Sequence, residues 1–198
     1  TQPFAGESSH GGAPALVRGR VDALSMRTVV QSKSFDEVEM LARRAGDMAA
    51  CIPNISPIDM HDARVGISSP FGYRIHPIYN RVSHHHGIDL GGPVGLPVYA
   101  TADGVVKMAE KNFMGYGNCV MIDHGFGYKT RYAHLQKMLV AEGQKVSRGD
   151  RIATLGRSGR STGAHLHYEV IFHDHPVNPW NYLDNLSVEE YRGIVHSK

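Results

Sequence analysis

The chain has 198 residues, 41% of them hydrophobic and 20% charged. That is enough apolar material for one domain with a core plus an appendage, and it excludes wholesale disorder. The 21 Lys and Arg against 19 Asp and Glu leave a formal charge of +2, which argues against the basic stripe of a dedicated nucleic-acid binder.

No apolar run approaches the length of a transmembrane helix. Of the 13 histidines, eleven fall between His61 and His175. Such a concentration points to metal chemistry or acid–base work. Two cysteines, Cys51 and Cys119, are too few for a disulfide framework. The first residue is Thr1 and no signal-peptide pattern follows it, so any targeting or anchoring segment would lie upstream.

Residues 1 to about 33 are rich in Gly, Ser and Ala. They read as a poorly ordered start leading into a short extended piece at 27–31. A helix is predicted over about 34–50. Ser34 and Glu37 have capping-box spacing, and Phe35, Val38, Leu41, Ala45 and Met48 recur on one face. Residues 53–69, which include Pro53 and Pro57, read as a linker or a strap across a surface. From about Ser68 the apolar and β-branched runs become short, with Gly or Pro between them. Examples are 98–100, 104–108, 118–122, 128–132, 151–155 and 165–172. That rhythm predicts an antiparallel β-sandwich or barrel. The expected organisation is an extension over 1–66, a β domain over 67–184 and a tail over 185–198.

Three motifs could carry chemistry. In His85-His86-Gly87-Ile88-Asp89, imidazole and carboxylate stand four residues apart with a glycine that permits an unusual turn. Both are good zinc donors, although His84 and His86 compete with His85 for the role. The bland reading is three exposed loop histidines. In His165-Leu166-His167, within a strong strand sequence, the two imidazoles share a face about 6.5–7 Å apart while Leu166 faces the other way. His173-Asp174-His175 repeats the spacing beside Pro176, past the strand, and reads as an exposed turn. His134, in Tyr132-Ala133-His134-Leu135, closes a predicted strand; a lone histidine there is more often structural.

Three protein ligands with an open fourth position make a catalytic zinc site, whereas structural sites close with four ligands and favour Cys. Two distant cysteines exclude a zinc ribbon, and no HExxH segment is present. Gly159-Arg160-Ser161-Thr162-Gly163 matches the serine-hydrolase elbow, but that elbow needs a helix after it and here a strand is predicted.

Taken together, the motifs resemble those of the LytM/lysostaphin-type (β-lytic) zinc endopeptidases, which cut peptide bonds in bacterial peptidoglycan. The resemblance rests on His85-x-Gly87-x-Asp89, His134 and His165-x-His167. It extends to Phe71-Gly72-Tyr73-Arg74-Ile75-His76-Pro77, Gly115-Tyr116-Gly117-Asn118, Ser161-Thr162-Gly163-Ala164 and Val177-Asn178-Pro179, and so covers residues 68–184. It implies a mainly β fold, a small antiparallel β-sheet or sandwich peptidase domain with an open groove, with the N-terminal helical segment outside it.

The resemblance also implies one zinc per chain, held by His85, Asp89 and His167, which selects His85 over its neighbours. His134 and His165 become the catalytic histidines that do not bind metal. Tyr79 stands where some members carry a tyrosine near the oxyanion, and Arg157 stands where many members have a small residue. The implied partners are peptidoglycan peptides and no nucleic acid, with room for a regulatory protein or an upstream membrane anchor. The implied location is the bacterial cell envelope, periplasmic or membrane-anchored and extracellular. The competing reading is a catalytically inactive scaffold that activates a cell-wall amidase. Such relatives lack metal ligands, whereas all five site positions are filled here.

Overall fold

The computed structural model describes residues 12–75 and 81–183, with side chains from residue 16 onward. Two compact units divide the chain, Thr1–Gly46 and Asp47–Lys198. The described residues of the first unit are helical. Helix α1 runs Gly12–Cys51, whereas the sequence suggested a start near Ser34 and an extended piece at 27–31. No proline interrupts the chain between Ala15 and Cys51. Pro14 falls in the first turn, where its missing N–H costs no helical bond. The strand preference of Val29 and Val30 is only a fraction of a kcal/mol per residue, and a helix already nucleated propagates through it. Ser34 is therefore interior to the helix and not a cap. Among the described residues no helix is long and apolar enough to cross a membrane.

The second unit starts earlier than the expected domain boundary at residue 67, because the strap after α1 belongs to its core. Ile55 and Ile58 are buried. The Tyr99 N–H donates to the Pro57 carbonyl at 2.8 Å, and the Asn54 N–H to the Thr101 carbonyl at 3.3 Å. The Arg148 guanidinium donates to the carbonyls of Ala49, Ala50 and Ile52, which satisfies the end of α1.

Strands follow in quick succession. They are β1 (Gly66–Ser69), β2 (Gly72–Ile75), β3 (Val82–His85), β4 (Ile88–Gly91), β5 (Pro97–Tyr99) and β6 (Gly104–Phe113). Next come β7 (Gly117–Gly125), β8 (Tyr128–Met138), β9 (Lys145–Val146), β10 (Arg151–Leu155), β11 (His165–Phe172) and β12 (His175–Val177). The large sheet has the order β1-β4-β11-β8-β7-β6-β9, with β10 joining β5 to β8 and β12 beside β11. β2 and β3 form a separate hairpin. Every pairing is antiparallel, and each run proposed from the sequence falls on a strand. His173 and Asp174 form the exposed turn between β11 and β12, as their neighbour Pro176 suggested. The proposed tail at 185–198 lies outside the described residues.

Three adjacent strands, β4, β11 and β8, matter most. On one face Ile88, Leu90, Leu166, Tyr168, Val170 and Tyr132 enter the core, each nearly or fully buried. Fully burying such a side chain contributes about 1.5–3 kcal/mol. A chain of polar groups threads this core. Tyr168 Oη lies 2.9 Å from Thr101 Oγ1, which lies 3.0 Å from Tyr132 Oη. Tyr132 Oη is 3.1 Å from Thr130 Oγ1, and Thr130 Oγ1 is 2.7 Å from His124 Nε2. His124 Nδ1–H donates to the Asp103 carbonyl at 2.7 Å. Burial lowers the His124 pKa to about 4, against the pull of Asp103, so its imidazole is neutral at pH 7. Cys51 and Cys119 are free thiols.

Candidate metal centre and catalytic cleft

The opposite face of the same three strands lines a cleft of about 310 Å³. Strand alternation sends Asp89 of β4 and His165, His167 and Glu169 of β11 to this side, while their even-numbered neighbours enter the core. His167 and Asp89 are direct cross-strand partners, a placement that brings side chains within about 5 Å at their Cβ atoms. His85 is the last residue of β3 and reaches the same point. Its Nε2 is 3.0 Å from His167 Nδ1 and 3.1 Å from Asp89 Oδ1, and His167 Nδ1 is 2.8 Å from that oxygen. Among the described residues these three form the one cluster of metal-ligating side chains.

Gly87 has a different task from the turn suggested by the sequence. A Cβ there would stand 2.3 Å from the Tyr168 carbonyl oxygen, so the position is held to glycine by the close approach of β11. His84 turns its ring edge-on to Phe71 and Tyr73, each 5.0 Å away, and His86 is exposed. Neither joins the cluster.

The tautomers follow from the outer partners, because carbonyls and carboxylates only accept. His85 Nδ1–H donates to the Pro70 carbonyl at 2.8 Å, and His167 Nε2–H donates to Glu169 Oε1 at 2.9 Å. The inward nitrogens of both rings therefore carry lone pairs, and they meet a carboxylate oxygen. Three lone-pair atoms packed within about 3 Å repel one another unless a cation sits among them. Burial works to raise the Asp89 pKa, but a proton on His167 or His85 outweighs it and holds the carboxyl well below its usual range. Burial likewise opposes charge on His167, yet Asp89 and Glu169 draw its pKa upward. The centre attracts positive charge, and its donors fit a metal ion.

His134 and His165 stand beside the cluster with ring centroids 4.7 Å apart. His134 Nδ1–H donates to the Ser158 carbonyl at 2.8 Å, and His165 Nδ1–H to the Gly163 carbonyl at 3.0 Å. Nε2 is thus the basic nitrogen of each ring, and that of His165 is 3.7 Å from Asp89 Oδ1. Burial pushes the His134 pKa down to about 4, against the Ser158 bond, so the ring is neutral at pH 7 and its Nε2 lone pair is free. Its backbone is left-handed, with φ of 59°, which costs a non-glycine residue about 1–2 kcal/mol. The cause is a β-bulge. Asn118 pairs with Leu135 but Val120 with Tyr132, so β8 spends one extra residue here. The bulge turns His134 into the cleft, and its N–H donates to the Tyr116 carbonyl at 2.8 Å.

Tyr79 lies outside the described residues. Three residues that the sequence reading passed over sit behind His167. Glu169, 1% exposed, accepts from His167, from Tyr116 Oη at 3.0 Å and from Arg131 Nη1 at 2.6 Å. Arg131 Nη1 also donates to Tyr116 Oη at 3.1 Å. Burial raises Glu169 but its three partners together lower it, and burial raises Tyr116 to about 12, so the carboxylate stays charged and the phenol stays a donor. The signal for Glu169 was its position two residues past His167, on the same strand face. The serine-elbow segment leads into β11 and not a helix, and Ser161 Oγ lies 3.2 Å from His165 Nδ1.

Residues 83–179 match the peptidase family M23. The peptidoglycan DD-endopeptidase ShyA of Vibrio cholerae is 52% identical over 118 residues, 59% of this chain and 27% of that protein. This chain carries an M23 peptidase domain. The DD-carboxypeptidase/endopeptidase Mpg of Neisseria meningitidis is 52% identical over 113 residues, 57% of this chain and 26% of its own length. A crystal structure of a zinc-containing peptidase from Vibrio cholerae superposes with a TM-score of 0.59 at 45% identity, over 64% of this chain and 39% of that one. The chain spans about a quarter of the length of these curated relatives. The M23 domain and its three convergent donors together imply a bound metal.

Proposed function

We propose that the M23 domain is a zinc-dependent endopeptidase that hydrolyses peptide bonds in the cross-link or stem peptides of bacterial peptidoglycan. The observation that carries this reading is the meeting of His85 Nε2, Asp89 Oδ1 and His167 Nδ1 beside two histidines that bind outward through Nδ1. His85, Asp89 and His167 would hold zinc. Zinc there would supply a Lewis acid for the scissile carbonyl and a lowered pKa for water.

The chain's own groups do the rest. His134 and His165, each with its outer Nδ1–H tied to a carbonyl and Nε2 toward the cleft, would take the proton of the attacking water, stabilise charge on the carbonyl oxygen and return a proton to the leaving amine. The carbonyls of Ser158 and Gly163 fix both rings in the tautomer that this work needs. The names of the relatives point to a DD bond, and we extend that to this chain. The bacterial envelope is the setting in which such a substrate is met.

The test is elemental analysis of the purified chain together with digestion of purified peptidoglycan, with and without a chelator. One zinc per chain and chelator-sensitive release of new amino groups is the expected result. A chain that binds no metal and releases nothing overturns the proposal.

A further inference from the structure

We propose that Glu169, Tyr116 and Arg131 act as a positioning unit for the metal, with Glu169 setting the tautomer and donor strength of His167. This deepens the zinc reading of the same centre and rests on it. His167 must offer Nδ1 to the cluster, and an imidazole has two tautomers of similar energy. In the wrong one Nδ1 carries the proton and cannot bind a cation. A carboxylate 2.9 Å from Nε2 decides the matter, because it accepts only and so holds the proton on the outer nitrogen. An anion at that edge also raises the electron density at Nδ1.

Glu169 does this only while held in place, and it is nearly wholly buried. A buried carboxylate is costly unless hydrogen-bond donors surround it. Arg131 and Tyr116 supply them by closing a ring of hydrogen bonds. Arg131 donates to Glu169 Oε2 and to the Tyr116 hydroxyl, and that hydroxyl donates to Glu169 Oε1. The Arg131 guanidinium also lies 4.8 Å from the Tyr116 ring centroid, and that ring is 5.6 Å from His167. Sheet register builds the unit, since Glu169 and Arg131 are direct partners across β11 and β8. The Tyr116 carbonyl meanwhile holds the N–H of His134. One residue thus braces both the ligand row and the neighbouring proton acceptor.

The experiment is zinc affinity of the full chain by competition with a chromophoric chelator, paired with the visible spectrum of the cobalt-loaded protein. Glu169→Gln keeps the size and removes the charge. It should raise the zinc dissociation constant by about 10–100-fold and alter the cobalt spectrum. Tyr116→Phe removes one hydrogen bond and should shift the affinity in the same direction by less. It decides the matter if Glu169→Gln does not fold. Folded variants with wild-type affinity and an unchanged spectrum would overturn the inference, even with a lowered melting temperature, for Glu169 would then be a packing residue. A wild-type chain that takes up no metal would instead bring down the zinc reading itself.

Discussion

The two faces of β4, β11 and β8 are built from alternate residues of the same strands, yet different forces hold them. On the core face Leu90, Leu166 and Tyr168 are kept in place by contact with apolar neighbours. On the cleft face His167 and Glu169 are kept in place by hydrogen bonds between oppositely suited groups, from His167, Tyr116 and Arg131 to the Glu169 carboxylate. Packing tolerates small errors of direction, whereas donor atoms that must meet within about 3 Å do not. The cleft face can be this exact because the core face makes the strands rigid. Damage to one face should therefore read out in function and damage to the other in stability.

The largest effect is expected from His167→Ala, which removes one of three donors. Metal content and hydrolysis should both fall to background by elemental analysis and peptidoglycan digestion, while circular dichroism stays near wild type. His134→Ala should keep the metal and lower the rate by about 10²–10⁴-fold, the usual contribution of a general acid–base group. Release of the metal by that variant would make His134 a ligand and blur the division of roles. Leu166→Ala, one residue from His167 on the other face, should cost about 2–5 kcal/mol in urea unfolding. Zinc affinity of the folded variant should be unchanged, and a matching loss of affinity would show that the faces are not separable.

The smallest effect concerns the one histidine in the core-face polar chain. The folded His124 pKa is near 4, below the ordinary value of about 6.5. As pH falls below about 6.5 the unfolded chain takes up a proton that the folded chain refuses until near pH 4. Stability is therefore lost over that window and is unaffected above it. The full loss is about 3 kcal/mol. Urea midpoints between pH 7 and pH 4 should fall less steeply in His124→Asn than in the wild-type chain.

How much of this was legible in the sequence varied with the range of the interaction. The strands showed through because Gly and Pro break the chain where turns must be. His165 and His167 showed through because a period of two is a local property. Asp89 and His85 lie close together in sequence and could be paired by spacing, but resemblance was needed to prefer His85 over His84 and His86. Arg131 and Glu169 were not legible as partners, since they meet only through the register of β8 with β11. The bulge that aims His134 was hidden too, because it needs a count of residues on two strands at once. Helix α1 was underestimated because Gly and Ser before Ser34 look like coil when read one residue at a time, and helix formation is cooperative.

The ligand cluster has one more consequence, for the mechanics of the fold. His85 belongs to the small β2–β3 sheet, whereas Asp89 and His167 belong to the large one. An ion gripped by all three would be a cross-link between the two sheets, closing a loop from residue 85 to residue 167 much as a disulfide would. Its grip would add to folding stability in proportion to the logarithm of free metal over its dissociation constant. The hairpin would bear most of that dependence, because the large sheet keeps its own ladder of hydrogen bonds whether or not the clasp is shut.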